Sequence, residues 1–339
     1  MLRLIDRDWT LELLPEIGGA VARLAWRGIE ILRPMPASQV PAPIDAVRHT
    51  CAYPLLPWSN RIRDGQLHWR GAVYPLATNS PLDTRDSPHP IHGIGWQQRW
   101  QVIAHDSRHA ALGYEFAARG AEAQSWPFAH RGRQDFTLAG NTLTLDLALT
   151  STVASSVALA GAVALTVPST GSSKTNSPAP IEVPGGLGWH PFFVAEADAE
   201  LFCPVRAHWL ADDQRLPIRP EPVPAAWHFP HRAQRVSSLV LDSGFAEWSG
   251  HAQLRRPAAG VIVTIAATLP LRHLVLFRRA DAPWIAIEPV SHMTDAFNRA
   301  DAGETGTGTQ ALAAGATLAA RITLTCRVAH SDGTKADMR

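Results

Sequence analysis

The chain has 339 residues, 46% apolar and 18% charged, a composition that can bury a sizeable core and argues against a disordered polypeptide. Its 31 Lys and Arg offset 30 Asp and Glu, so there is no basic excess to draw it to nucleic acid or to an anionic membrane surface. Three cysteines, Cys51, Cys203 and Cys326, are odd in number and far apart, which fits neither a disulfide framework nor a paired-thiolate metal site and points to a reducing compartment.

The first residues carry Asp6, Arg7 and Asp8 where a secretory signal needs its apolar run, so the expected location is the cytoplasm. Short runs rich in Val, Ile, Leu, Thr and aromatics then recur, each broken by Gly, Pro, Asn or Asp. Such runs predict strands over residues 9–14, 21–26, 29–32, 67–73, 100–104, 112–116, 142–149, 260–267, 273–277, 284–287 and 318–328. Few windows hold a helical period for three turns and no repeat stands out, so the expected fold is all-β, a large antiparallel sandwich in one domain over residues 1–339. Residues 147–173 lack charge, but the stretch is crowded with Ser, Thr and Ala, and it reads as no membrane span. Residues 169–180 read as a Ser- and Pro-rich surface loop, and residues 217–224 as a polyproline-like connection.

Four stretches combine turn residues with polar and aromatic side chains that a core strand does not need. They are Tyr53-Pro-Leu-Leu-Pro-Trp-Ser-Asn-Arg-Ile-Arg-Asp-Gly65, His92-Gly-Ile-Gly-Trp96, Gly186-Leu-Gly-Trp-His-Pro-Phe-Phe193 and Ile287-Glu-Pro-Val-Ser-His-Met-Thr-Asp-Ala-Phe-Asn298. Indole beside polar groups suits a cleft in which a ring-shaped ligand stacks while its hydroxyls are held. Trp189, Phe192 and Phe193 would desolvate His190 and make its proton affinity tunable, and Glu288 closes an apolar strand, where a carboxylate needs a partner or a use. The plainer readings are a turn histidine at His92 and a structural ion pair at Glu288. Two His pairs spaced by three, His89 with His92 and His228 with His231, contain proline between them and lack a third ligand, so no metal is expected. Gly93-Ile-Gly95 and Gly306-Thr-Gly308 lack the rest of a nucleotide-binding loop, so no cofactor is expected either.

In this order the blocks resemble the aldose 1-epimerase family, the galactose mutarotases, and its bacterial members in particular. Ser59-Asn-Arg-Ile-Arg-Asp-Gly65, His92-Gly93, His190-Pro-Phe-Phe193, Glu288-Pro289 and Asp295-Ala-Phe-Asn298 carry the resemblance. Pro15-Glu-Ile-Gly-Gly19, Leu241-Asp-Ser-Gly-Phe245 and Leu312-Ala-Ala-Gly315 extend it along the chain. It implies the β supersandwich of that family and interconversion of the α and β anomers of a hexose. It also implies Glu288 as catalytic base, His190 as catalytic acid, and Arg61, His92 and Asp242 as holders of the sugar, with Asn60 adding a contact; Trp189 joins them as an aromatic platform. Two departures stand out: a long Ala- and Ser-rich stretch over residues 151–185, read as a loop insertion, and Phe192 where the family commonly has Tyr.

The chemistry stands without the family: a base takes the anomeric proton while an acid protonates the ring oxygen, the ring opens, turns and recloses. The expected partner is a small sugar, the expected state a monomer or homodimer. Two alternatives remain open. A hexose-6-phosphate 1-epimerase would need a basic cluster from Arg61, Arg63 and Arg85 or Arg99. A non-catalytic carbohydrate-binding protein of the same fold would be free to lose the acid or the base.

Overall fold

The computed structural model describes residues 1–36, 47–79, 88–154, 163–164 and 182–329. An 11-stranded and a 9-stranded antiparallel sheet dominate it, accompanied by a three-stranded and a two-stranded sheet. Strand alternation decides how they pack. In His130–Ala139 and Thr142–Ser151 buried and solvent-facing residues alternate along ten residues each, so the 9-stranded sheet has one wet face and one dry one. Its dry face supplies Phe136, Leu145, Leu147, Val263 and Ile322 to the main core. Leu11, Leu24, Trp189, Ile285 and Leu276 of the 11-stranded sheet meet them there. The all-β sandwich expected from the sequence is therefore the fold.

The centre of the 11-stranded sheet runs, in spatial order, through Ala52–Leu55, Gly188–Val194, Trp284–Val290, His273–Arg278 and Leu241–Ala246. All but the last, Leu241–Ala246, are buried on both faces. Odd positions of Gly188–Val194 and Trp284–Val290, such as Trp189, Phe193, Ile285 and Ile287, enter the main core. Phe192, Ala286 and Val290 join Tyr53, Leu55 and Val275 in a second, smaller cluster on the opposite face. Burial from both sides explains why the apolar periodicity fails here, since neither face has to be polar.

Several expectations change. The run at 67–73 is a hairpin of Gln66–Trp69 and Ala72–Pro75, turning at Arg70 (φ 53°) and Gly71 (φ 75°), the left-handed pair that a tight two-residue turn requires. Pro217–Pro222 is a strand rather than a connection. It pairs with Ala207–Ala211 at the sheet's outer edge, where prolines deprive no neighbour of a donor. The blocks around His190 and Glu288, read as turns because of Pro191 and Pro289, lie inside central strands. The long strand His130–Ala139 escaped the apolar-run search because its outward positions are Arg131, Arg133 and Thr137. Within residues 151–185 only 151–154, 163–164 and 182–185 are described, and the loop read at 169–180 lies outside the described residues. Among the described residues no helix is long and apolar enough to cross a membrane. The α-helix there, α1, is Ala296–Asp301.

Candidate functional site

A cleft of about 360 Å³ opens on the face of the 11-stranded sheet that carries the smaller cluster. Its floor follows from register. Gly188 stands opposite Val290 and Phe192 opposite Ala286, which puts His190 across from Glu288. Tyr53 pairs with His190 on one side, and Val275 with Glu288 on the other. One row of the floor is thus Tyr53, His190, Glu288 and Val275. The next, two residues along, is Phe192, Ala286, Phe277 and Asp242. Pro191 and Pro289 interrupt the ladder beside this pair, each removing an N–H from a central strand.

His190 Nε2 lies 3.2 Å from Glu288 Oε1, and both side chains are almost fully buried. The imidazole packs against the rings of both Tyr53 and Phe192, at centroid distances of 4.7 and 4.5 Å. Its Nδ1 and the other carboxyl oxygen, Glu288 Oε2, make no hydrogen bond to the described residues. Burial pushes the imidazole down to about 3, helped by the charges of Arg33 and Arg48. Burial also pushes the Glu288 carboxyl well above the usual carboxylate range, with nearby Asp242 adding to the shift and Arg61 opposing it. The two groups therefore hold one proton between them, on the carboxyl side, and form a neutral acid facing a neutral base.

The wall beside the pair is a reciprocal lock. The Asn60 amide donates to His92 Nδ1 at 3.1 Å, and the His92 amide donates to the Asn60 carbonyl at 2.9 Å. Both residues have left-handed φ, 56° and 64°. Such conformations persist only where surroundings fix them. Gly93 follows because a Cβ there would stand 1.9 Å from the Leu56 carbonyl oxygen. With Nδ1 accepting, neutral His92 carries its proton on Nε2 and is a donor; burial, with His190 and Arg61 adding, holds it well below its ordinary titration range. Asn60 Oδ1 accepts from the Arg61 amide at 2.9 Å and from Arg61 Nη1 at 3.3 Å, aiming the guanidinium across the cleft. Asp242 Oδ2 accepts from Arg215 Nη1 at 3.0 Å.

Of the residues singled out from the sequence, Arg61, Asn60, His92, His190, Asp242 and Glu288 all line this cleft. Trp189 does not. It alternates to the opposite face from His190 and is 1% exposed in the main core, so its indole packs the sandwich and offers the cleft no platform. The aromatic walls are instead Tyr53, Phe192, Phe277 and Trp284. The expected basic cluster also dissolves. Arg63 pairs with Asp295 at 3.6 Å, Arg99 is an exposed partner of Glu16, and Arg85 lies outside the described residues. A different set, Arg33, Arg48 and Arg279, lines one end of the cleft. The sequence reading missed it because these residues sit in no motif. His292 is structural, its Nδ1 donating to the Met293 carbonyl at 2.8 Å and its Nε2 accepting the Ser59 amide at 3.2 Å.

Residues 13–176 match the family model described as aldose 1-epimerase. The chain is 26% identical over 307 residues to the uncharacterized protein YphB of Escherichia coli K12, covering 84% of this chain and 87% of that protein. A galactose mutarotase-like protein from Clostridium acetobutylicum superposes with a TM-score of 0.77 at 15% identity, over 96% of this chain and 94% of the other. A GalM/aldose epimerase homologue from C. elegans gives 0.71 at 16% identity, over 97% and 99%.

Proposed function

The chain is related to the aldose 1-epimerase family, and on that premise we propose that it interconverts the α and β anomers of an aldose by acid–base ring opening and closure. The contact between His190 and Glu288 at the cleft floor carries this reading. The anomeric hydroxyl and the ring oxygen share one carbon, so an acid and a base that are cross-strand neighbours reach both. Adjacent groups on one side of the ring suffice.

Glu288 must be ionised to accept the anomeric proton, and His190 must be charged to donate. The shared proton reaches that arrangement by moving from the carboxyl to the imidazole across the 3.2 Å contact, with none exchanged with solvent. Glu288 then takes the proton from the anomeric hydroxyl as His190 gives its own to the ring oxygen. The carbon–oxygen bond of the ring breaks and the open aldehyde forms. Rotation about the bond next to the aldehyde and the reverse transfers give the other anomer. Every proton returns, so the cycle balances with these two groups. In this reading Arg61 and His92 donate to sugar hydroxyls, Asp242 accepts from one, and Asn60 aims Arg61.

The test is the anomeric relaxation of freshly dissolved α-glucose and α-galactose, followed by optical rotation with and without purified protein. Acceleration proportional to protein concentration is expected. Unchanged relaxation of every aldose tried, neutral or anionic, would sink the proposal.

A further inference from the structure

At the end of the cleft beyond Phe192, the Arg33 guanidinium lies over two rings, 4.0 Å from the Phe192 centroid and 5.0 Å from that of Trp284. Its Nη2 donates to the carbonyls of Arg48 and Thr50 at 3.2 and 3.1 Å, which fixes the plane. Nε and Nη1 donate to nothing among the described residues, and no carboxylate there pairs with this charge. The acids of the cleft are engaged elsewhere, Asp242 with Arg215 and Glu288 with His190, and Asp281 outside it pairs with Arg279 at 3.0 Å. A half-buried guanidinium packed on aromatic rings at the lining of an open cleft is built to receive a planar or tetrahedral oxyanion.

Its position fixes which part of a sugar it would meet. Phe192 is two residues from His190 along one strand, roughly 7 Å at the usual rise, and Trp284 is four residues from Glu288, about 13 Å. Arg33 therefore stands about one pyranose ring with its exocyclic substituent away from the pair that handles the anomeric carbon. We propose that the site is made for an anionic sugar, with Arg33 holding a carboxylate or phosphate carried on the sugar's exocyclic carbon. The inference rests on the 1-epimerase reading for the sugar's orientation. Arg33 in this account determines specificity and takes no part in the proton transfers.

Calorimetric binding of matched pairs tests it on the whole chain: glucose against glucose 6-phosphate, and galactose against galacturonate. The anionic member should bind roughly ten- to a hundredfold more tightly, the effect of a charge-assisted hydrogen-bonded contact. Preference for phosphate alone or carboxylate alone supports the subsite and names its ligand. In Arg33→Gln the ratio of affinities should fall towards one. In Arg33→Lys, which keeps the charge and loses the fork, the ratio should be intermediate. Neutral sugars bound as tightly as both anions by the unaltered protein would overturn the subsite, as would an undiminished ratio in Arg33→Gln. Anomer exchange measured by NMR on the same sugars separates the two ideas: tight anionic binding with no exchange leaves the subsite standing and removes the epimerase reading.

Discussion

The two large sheets solve opposite problems with the same polypeptide geometry. In the 9-stranded sheet a strand such as His130–Ala139 alternates strictly, and its polar residues face water because that face has nothing else to do. In the 11-stranded sheet Gly188–Val194 and Trp284–Val290 are buried along nearly their whole length, and the polar residues they carry, His190 and Glu288, are kept from water by the cleft built over them. Polar residues in the first sheet stay hydrated at no cost; in the second they are held at a cost in solvation that only a paired or chemically useful group offsets. Alternation alone thus identifies a scaffold, and its failure beside an ionisable residue marks a site.

Changes in the two sheets should accordingly affect different quantities. Phe136→Ala, in the dry face of the 9-stranded sheet, should lower unfolding free energy by about 3–5 kcal/mol, read by denaturant titration, while the surviving folded fraction keeps its turnover per molecule. Equal loss of turnover in the folded fraction would show that the sheets are not separable in this way. Glu288→Gln should do the reverse, reducing turnover by at least roughly 10²-fold with the fold and most sugar affinity intact. His190→Asn should be similarly crippling.

The pH profile of turnover sharpens the same contrast. On the acid side the pair gains a second proton as the imidazole, pushed down to about 3, charges; on the alkaline side the single proton leaves a carboxyl raised out of its ordinary range. A bell-shaped profile is expected, with His190 setting the acid limb and Glu288 the alkaline limb. An alkaline limb unmoved in the residual activity of Glu288→Gln would refute that assignment.

Stability should depend on acid through buried histidines in both sheets. His130 is held neutral, its Nδ1 donating to the Phe128 carbonyl and its Nε2 accepting from Tyr114, each at 2.9 Å, and burial lowers it to about 4. Burial lowers His273 and His292 to about 4 as well, and His190 to about 3. Between 6.5 and these values the unfolded chain binds more protons, so stability is full above about pH 6.5 and falls on acidification, by up to about 1.4 kcal/mol per pH unit for each group. His130→Gln should flatten that slope in thermal melts; an unchanged slope would contradict it. Smallest of all, Trp189→Phe should cost roughly 1–3 kcal/mol of stability and leave sugar affinity alone, since its indole faces the core.

The legibility of this molecule follows the same division. Strands with one wet face, such as Thr142–Ser151 and Thr317–Val328, showed in the sequence nearly to their ends. Of the central strands, His273–Arg278 showed nearly whole and Trp284–Val290 up to Pro289, while Gly188–Val194, with Pro191 inside it, was read as a turn. Six cleft residues were reached through sequence blocks, not through physics alone. Trp189 was misplaced because adjacency along a strand means opposition across the sheet, so a neighbour of His190 is the residue least able to share its cleft. Arg33 was invisible because it becomes part of the site only when residues far apart in sequence, Phe192 and Trp284, come beneath it.

The reacting pair owes its spacing to the sheet itself. Because His190 and Glu288 are neighbours on paired strands, the gap between donor and acceptor is set by the register of the sheet, pinned at Gly188 with Val290 on one side and Phe192 with Ala286 on the other. Most of the parts that would grip the sugar come from elsewhere, Arg33 from the segment after Leu32 and Arg61 and His92 from a locked pair of turns, while Asp242 comes from the sheet. Such a machine is modular. Rim segments can be exchanged to admit a bulkier, longer or differently charged sugar without retuning the proton exchange. A designer seeking a new specificity should therefore graft loops and leave the sheet alone.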